Sequence, residues 1–291
     1  SESMTLKLDP TTGAIIELSS PNLNKGKNLL KGNSSNLTFG FHDVGTPQDP
    51  EQHAWNLTPE YWKNPLDLPN DRNVNIEITD VGPIFASIKI SRTLGISLVI
   101  QKITLFYDCP EIFMKYLTDW KQKDAMLKLI YSTSTNAEVV TADAAYSAIE
   151  SKTNPETPCD RARYEKICHK YFDLSTPDNK WGLAMLNEGK YGFDVNGGIM
   201  KLTMLRACKY PSPAPEAWVN MERNENEKTF ENNVPIYSGL GPFSCRFALF
   251  PHEGGALRKS NGSPNAIVKR KAEEFNKPVI VIPSNDFKFS Q

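Results

Sequence analysis

The sequence is short of helix signals, of charge of one sign, of long apolar runs and of paired cysteines. In 291 residues, 33 Lys and Arg stand against 34 Asp and Glu, a net charge of −1. No field of one sign is available to hold nucleic acid or an anionic membrane surface. No apolar run approaches the ~20 residues that a membrane span needs. The five cysteines, Cys109, Cys159, Cys168, Cys208 and Cys245, are odd in number, scattered and without a C-x-x-C step. That argues against a disulfide framework or a zinc knot, and points to reduced thiols in a cytoplasmic protein. The opening SESMTLKLDP lacks the charged head and apolar core of a secretory signal, and the expectation is a piece of a longer chain. Sequons beginning at Asn33, Asn36, Asn56 and Asn261 then read as chance matches.

Catalytic signatures are equally sparse. The four histidines, His42, His53, His169 and His252, do not pair at i, i+2 or i+4, and read as hydrogen-bonded loop or strand-end residues. No G-x-S-x-G elbow occurs, since GPFSC (241–245) lacks the flanking glycines. A glycosidase needs two carboxylic acids across a sugar ring. ETPCDRARYEK (156–166) offers Asp160 and Glu165 with Arg161 and Arg163 between them, but the same residues suit an exposed, salt-bridged turn.

What the chain does have is period-2 patterning. In IFASIKI (84–90), Ile84, Ala86, Ile88 and Ile90 share one face. ISLVIQKITLFY (96–107) suits a long, largely buried strand. EIFMKYLTDW (111–120) puts Ile112, Met114, Tyr116 and Thr118 on one side. MLKLIYSTS, KWGLAMLNE, GIMKLTMLRA, CRFALFPH and PVIVIP (278–283) read alike, with turn chemistry such as DPTTG and YDCPE between them. The best helix candidate, AIVKRKAEEFN (266–276), has apolar positions too sparse for a core helix. The pattern predicts an all-β fold: one large antiparallel β-sandwich over residues 5–255, followed by a 256–291 extension that could add strands. Segment 211–215 reads as a loop, and 220–233 as exposed and mobile.

Two aromatic loops stand out. HAWNLTPEYWKNP (53–65) sets Trp55, Tyr61 and Trp62 among polar residues, which suits either a sugar face or a small satellite core. NEGKYGFDVNGG (187–198) has more glycines than a two-residue turn needs, so a backbone held close to something, or a bulge, is expected there.

Taken together, LDPTTGAIIEL (8–18), HAWNLTPEYW, LTDWKQKDAMLKLIY (117–131), DRARYEKICHKYFDLS (160–175), WGLAMLNEGKYGFDV (181–195), KLTMLRACKYPSP (201–213) and FALFPHEG (247–254) resemble the C-terminal, non-catalytic region of the glycoside hydrolase family 38 α-mannosidases. The resemblance covers most of residues 5 to 255. It departs from the family at AYSAIES (145–151), where a glycine is usual, and after YPSPAP. It implies a supersandwich of the galactose-mutarotase-like type, packed against an N-terminal catalytic barrel of the same polypeptide. The zinc, the nucleophile and the general acid of a retaining α-mannosidase would lie in that barrel. No cofactor and no catalytic residue is therefore expected in this chain, which alone should be inactive. Its loops would shape the rim of the site for an α-mannoside or oligosaccharide: Tyr191 and Asp194 first, with Asn187 and Gly192 in the same loop, and Trp55 and Tyr61 as further rim residues. Trp120 and Trp181 are expected in the core. An apolar, aromatic area near the two loops is expected to drive self-association of the isolated chain. Two other readings remain, an independent carbohydrate-binding module and a mutarotase-like isomerase using His169 or His252.

Overall fold

Alternating β-branched, aromatic and polar residues form strands because each pleated face can then be half-buried. The computed structural model describes residues 4–44, 54–209 and 237–277. Among them are seventeen strands and two α-helices. β1 (Thr5–Leu8) and β2 (Ile15–Ser19) pair as a separate ribbon. A nine-stranded sheet runs, in spatial order, β11 (Ser147–Lys152), β10 (Val139–Ala144), β13 (Tyr171–Ser175), β14 (Trp181–Asn187), β17 (Gly241–Glu253), β8 (Ile112–Trp120), β7 (Ser97–Phe106), β6 (Phe85–Leu94) and β5 (Asn75–Val81). A six-stranded sheet runs β12 (Lys166–Ile167), β15 (Gly192–Asn196), β16 (Ile199–Arg206), β9 (Ala125–Ser132), β3 (Leu37–His42) and β4 (Pro65–Leu66). The pairings that build the two sheets are antiparallel, as the patterning predicts.

The core lies between the sheets. On β8 the buried face is Ile112, Met114, Tyr116 and Thr118, the set the alternation predicts, and it ends on the wholly buried Trp120. Leu127, Leu129 and Tyr131 of β9 and Phe193 and Leu202 of β15 and β16 belong to the same core. Phe172 of β13 stacks on Phe193 across the gap, centroids 4.4 Å apart. Burying each such side chain contributes ~1.5–3 kcal/mol. Trp181 is also buried, as expected. Asn36 is wholly buried and accepts from Tyr131 Oη at 2.8 Å, so its sequon is closed.

Two expectations need correction. The helix α2 (Ile267–Asn276) does bury apolar residues: Val268 and Ala272 pack with Leu186, Ala248 and Phe250 on the outer face of the nine-stranded sheet. Phe275 stacks on Phe113 at 6.2 Å. The number of apolar residues is small, but spacings of four and three put them on one helix face. β7 is not largely buried. Its faces alternate, and Leu98 on the outward side is 55% exposed, because no described segment covers that part of the sheet. Segments 211–215, 220–233 and 278–283 lie outside the described residues.

Candidate functional site

The outer face of the six-stranded sheet carries the polar residues that alternation turns away from the core: Gly192 and Asp194 on β15, Lys201 and Thr203 on β16, Lys128 on β9. Register sets Asp194 beside Lys201 and Thr203 beside Lys128. Two crossing segments cover this face. In the first, residues 54–66, Tyr61 is buried against Phe41 and Met126 with Leu57 and Tyr164 alongside. The second leaves β11 and forms the short helix α1 (Pro158–Ala162), started by a capping box in which Thr157 and Asp160 satisfy each other's backbone N–H. It then lays Tyr164 against Tyr61 and Trp62, centroids 6.1 and 5.5 Å away.

The next residue, Glu165, reaches down to the sheet. Its carboxylate pairs with Lys128 Nζ, accepts from Thr203 Oγ1, and receives Tyr61 Oη at 3.4 Å. Lys128 is wholly buried, and its ammonium also lies 5.2 Å from the centre of the Tyr61 ring. Burial pulls the Lys128 amine below its ordinary range, with Glu165 opposing that shift. Burial first, and Glu165 second, push the Tyr61 phenol upward, so it stays a neutral donor. Gly192 makes this approach feasible: a Cβ there would sit 3.0 Å from Glu165 Oε1 and 3.2 Å from the Thr203 side chain. The close neighbour expected of this glycine-rich stretch is therefore Glu165.

Beside this cluster, Asp194 Oδ2 accepts from Lys201 Nζ at 2.6 Å, with both side chains mostly covered. The pair forms part of the wall of a cleft of about 750 Å³, with Trp62, Arg163, Tyr164 and Lys166 around it. Lys166 is half-buried, and burial pulls its amine downward despite Asp194 and Glu165.

The residues singled out in the sequence are thus divided. Asp194, Gly192 and Tyr61 meet around Glu165 and the cleft, although the Tyr61 ring is buried as satellite core and only its hydroxyl points into the cluster. Residues 187–198 are not one loop. Asn187 ends β14 in one sheet and Gly192 begins β15 in the other, so the segment is a sheet-to-sheet crossing. Asn187 is wholly buried and structural: its amide donates to Cys168 Sγ at 3.3 Å and its Oδ1 caps the turn by accepting from Lys190 N at 3.1 Å. Tyr191 is 52% exposed and lies against His169, centroids 6.1 Å apart, outside the cleft wall. Trp55, 70% exposed, is also outside it. The carboxylates Asp160 and Glu165 separate into a helix cap and a buried ion pair. Lys128 and Lys201 were not singled out. Their only signal was a lone lysine inside each of two otherwise apolar strands, MLKLIY and GIMKLTM.

The histidines do not converge. His252 is buried with Nε2 2.7 Å from Asp173 Oδ1, and Gly182 lies so close that a Cβ would sit 2.7 Å from the ring. His169 is half-exposed, 3.6 Å from Asp143. Among the described residues, no three His, Cys, Asp or Glu side chains cluster in a way that fits a metal ion such as zinc.

Comparison with known proteins places this architecture. Residues 2–214 match the family described as glycosyl hydrolases family 38 C-terminal domain. Alpha-mannosidase 2C1 of Mus musculus is 28% identical over 184 residues, 63% of this chain and 15% of that protein. Alpha-mannosidase G of Dictyostelium discoideum is 30% identical over 111 residues, 38% of this chain and 10% of that protein. The chain therefore spans about a sixth or less of the length of these relatives. A solved structure of a protein in the glycosyl hydrolase family 38 from Enterococcus faecalis superposes with a TM-score of 0.62 at 15% identity, covering 87% of this chain and 30% of that one, which establishes a shared fold. With a match that spans most of the chain and a two-sheet architecture found in the family's solved structure, this chain belongs to the glycosyl hydrolase family 38 C-terminal domain family.

Proposed function

We propose that this chain is the C-terminal β-sandwich of a zinc-dependent, retaining α-mannosidase, and that it packs against an N-terminal catalytic domain of the same polypeptide. In this reading the cleft over the six-stranded sheet forms part of the rim of the sugar site. The observation that carries it is the fixed Asp194–Lys201 pair in a cleft bordered by Trp62 and Tyr164. Aromatic faces suit the C–H faces of a sugar, and a carboxylate held in place by an ammonium accepts hydrogen bonds from hydroxyls without first having to be ordered.

The described residues do not fit a zinc centre, so in this reading the metal and the groups that break the glycosidic bond belong to the other domain. What this chain contributes is position. Asp194 orients a hydroxyl, Lys201 keeps that carboxylate aimed, and Glu165 with Lys128 and Thr203 ties the crossing segment to the outer face of β9 and β16. The five unpaired thiols support a reducing, cytoplasmic setting. Tyr191 and Trp55, exposed outside the cleft wall, would meet either the longer arms of an oligosaccharide or the catalytic domain itself.

The test is hydrolysis of an aryl α-mannoside by the full-length protein. Asp194→Ala is expected to lower kcat/KM by about tenfold or more, the worth of one charged hydrogen bond of ~1.5 kcal/mol. Unchanged kcat/KM in that variant removes Asp194 from the rim. Metal-dependent hydrolysis by residues 1–291 alone would show that the catalytic groups lie in this chain, and the proposal would fail.

A further inference from the structure

The charges around the cleft do not balance. Its wall carries Arg161, Arg163, Lys166 and Lys201, four cations, against Glu60, Asp160 and Asp194, three carboxylates. All three carboxylates are already engaged. Glu60 pairs with Lys63 at 2.7 Å, Asp160 caps α1 through Thr157, and Asp194 holds Lys201. Arg161 donates to the Glu156 carbonyl at 2.8 Å. Arg163 and Lys166 remain. Among the described residues, neither side chain has a hydrogen-bond acceptor or a carboxylate within ion-pair distance; Asp194, Glu165 and Asp160 act on Lys166, and Asp160 on Arg163, only from farther away. Lys166 is half-buried, and its longer-range carboxylates only partly offset the lost hydration, while Arg163 is exposed at the cleft edge; an anion between the two would give both a direct partner. The arginine adds a planar fork suited to phosphate or carboxylate oxygens. Trp62 and Tyr164 supply apolar surface next to these two cations.

We infer that the cleft takes an anionic saccharide, one whose phosphate monoester or carboxylate is held by Arg163 and Lys166 while its ring lies against the aromatic wall. This rests on the reading of the cleft as a sugar site and goes beyond it by naming the charge of the ligand.

The test measures the affinity of the full-length protein for mannose, mannose 6-phosphate and mannuronate by titration calorimetry at low ionic strength. At least one anionic sugar is expected to bind about tenfold more tightly than mannose, and added salt should shrink that advantage. Which of the two is preferred distinguishes the phosphate from the carboxylate. In Arg163→Gln/Lys166→Gln the advantage should vanish, while Lys166→Arg should keep it and shows that the site still folds. Equal affinity for all three sugars overturns the inference. That would be the result if these cations face carboxylates of another part of the longer protein. An advantage that survives the double substitution, or inorganic phosphate binding as tightly as mannose 6-phosphate, overturns it too. Failure to hydrolyse an aryl α-mannoside would sink the mannosidase reading alone, because the affinity ratio is measured without turnover.

Discussion

Glu165→Gln isolates the charge of the buried pair. The amide keeps the shape of the side chain; its oxygen can still accept from Tyr61 and its NH2 can donate to the Thr203 hydroxyl, but Lys128 loses its counter-ion while remaining wholly buried. Leaving one member of a buried pair uncompensated costs about 3–5 kcal/mol. A second route bounds the figure. The amine can escape by losing its proton, and at about pH 7 that costs some 4–5 kcal/mol for a group whose unfolded pKa is ~10.4. The two estimates agree, so the expected loss in urea unfolding of the full chain is about 3–5 kcal/mol. The sign of the pH dependence follows. Burial depresses the folded pKa of Lys128, so the unfolded chain binds more protons, and stability rises with pH until the unfolded group titrates. Glu165 opposes that depression in the wild-type chain, so its loss lowers the folded pKa further, and the deficit of the variant should shrink as pH rises toward the unfolded value of ~10.4, by at most ~1.4 kcal/mol per unit. Adding Lys128→Met to Glu165→Gln should recover most of the loss, because replacing both charges with uncharged groups removes the stranded ion. A variant within about 1 kcal/mol of wild type, or a deficit that grows with pH, would refute the argument that Lys128 is desolvated and held by Glu165.

Other expectations follow from single sites. Tyr146 is fully exposed at a φ of +61° in the two-residue turn between β10 and β11. Tyr146→Gly should raise unfolding stability by about 0.5–1 kcal/mol, the left-handed strain relieved less the added freedom of the unfolded chain, and a decrease would contradict that. Gly192→Ala pushes a methyl against Glu165 and Thr203 and should cost about 1–3 kcal/mol in the same assay, whereas no loss would mean that β15 is free to shift. For the thiols, burial pushes Cys168 and Cys245 up to about 12 and Cys109 up to about 11, while Cys159 is exposed on α1. Reaction with a disulfide reagent near neutral pH should modify one thiol per native chain rapidly, and two or more fast thiols would show that the buried set is open to solvent.

Much of the sheet framework was legible because each strand obeys its own alternation. Ile112, Met114, Tyr116 and Thr118 needed no partner to be identified as one face. What lay beyond reading was which outer faces would be covered. Alternation turns Lys128 away from the core, and on most sheets that means toward water. It is buried only because residues 54–66 and 155–165 cross over it, a contact between segments far apart in the chain. The same crossing decided between the two readings of the aromatic loop, sending Tyr61 inward and leaving Trp55 and Trp62 outside. Some misses were avoidable. Thr157-Pro158-Cys159-Asp160 is a capping box with proline at the first helical position, a local start signal for α1. Val268, Ala272 and Phe275 sit at i, i+4 and i+7, so spacing rather than number identifies the face that α2 buries. For the glycine-rich stretch, the expectation of a close neighbour was sound, but Glu165 could not be named from spacing alone.

The position of β17 has a consequence for how the molecule is made. The last strand among the described residues occupies the middle of the nine-stranded sheet, between β14 and β8. Until residue 253 has left the ribosome, that sheet exists as two unjoined parts, β5–β8 on one side and β10, β11, β13 and β14 on the other. Each presents a long unpaired edge rich in apolar residues, the kind of edge that recruits other chains. Thirteen residues then close both edges at once. Completion of the sheet is thus a late event that joins β17 to β8, more than a hundred residues back, as well as to the nearer β14, and any chain cut short before Glu253 is left with two sticky half-sheets rather than a smaller domain. A polypeptide with this sandwich near its C-terminal end would depend on chaperones for longer than its size alone suggests.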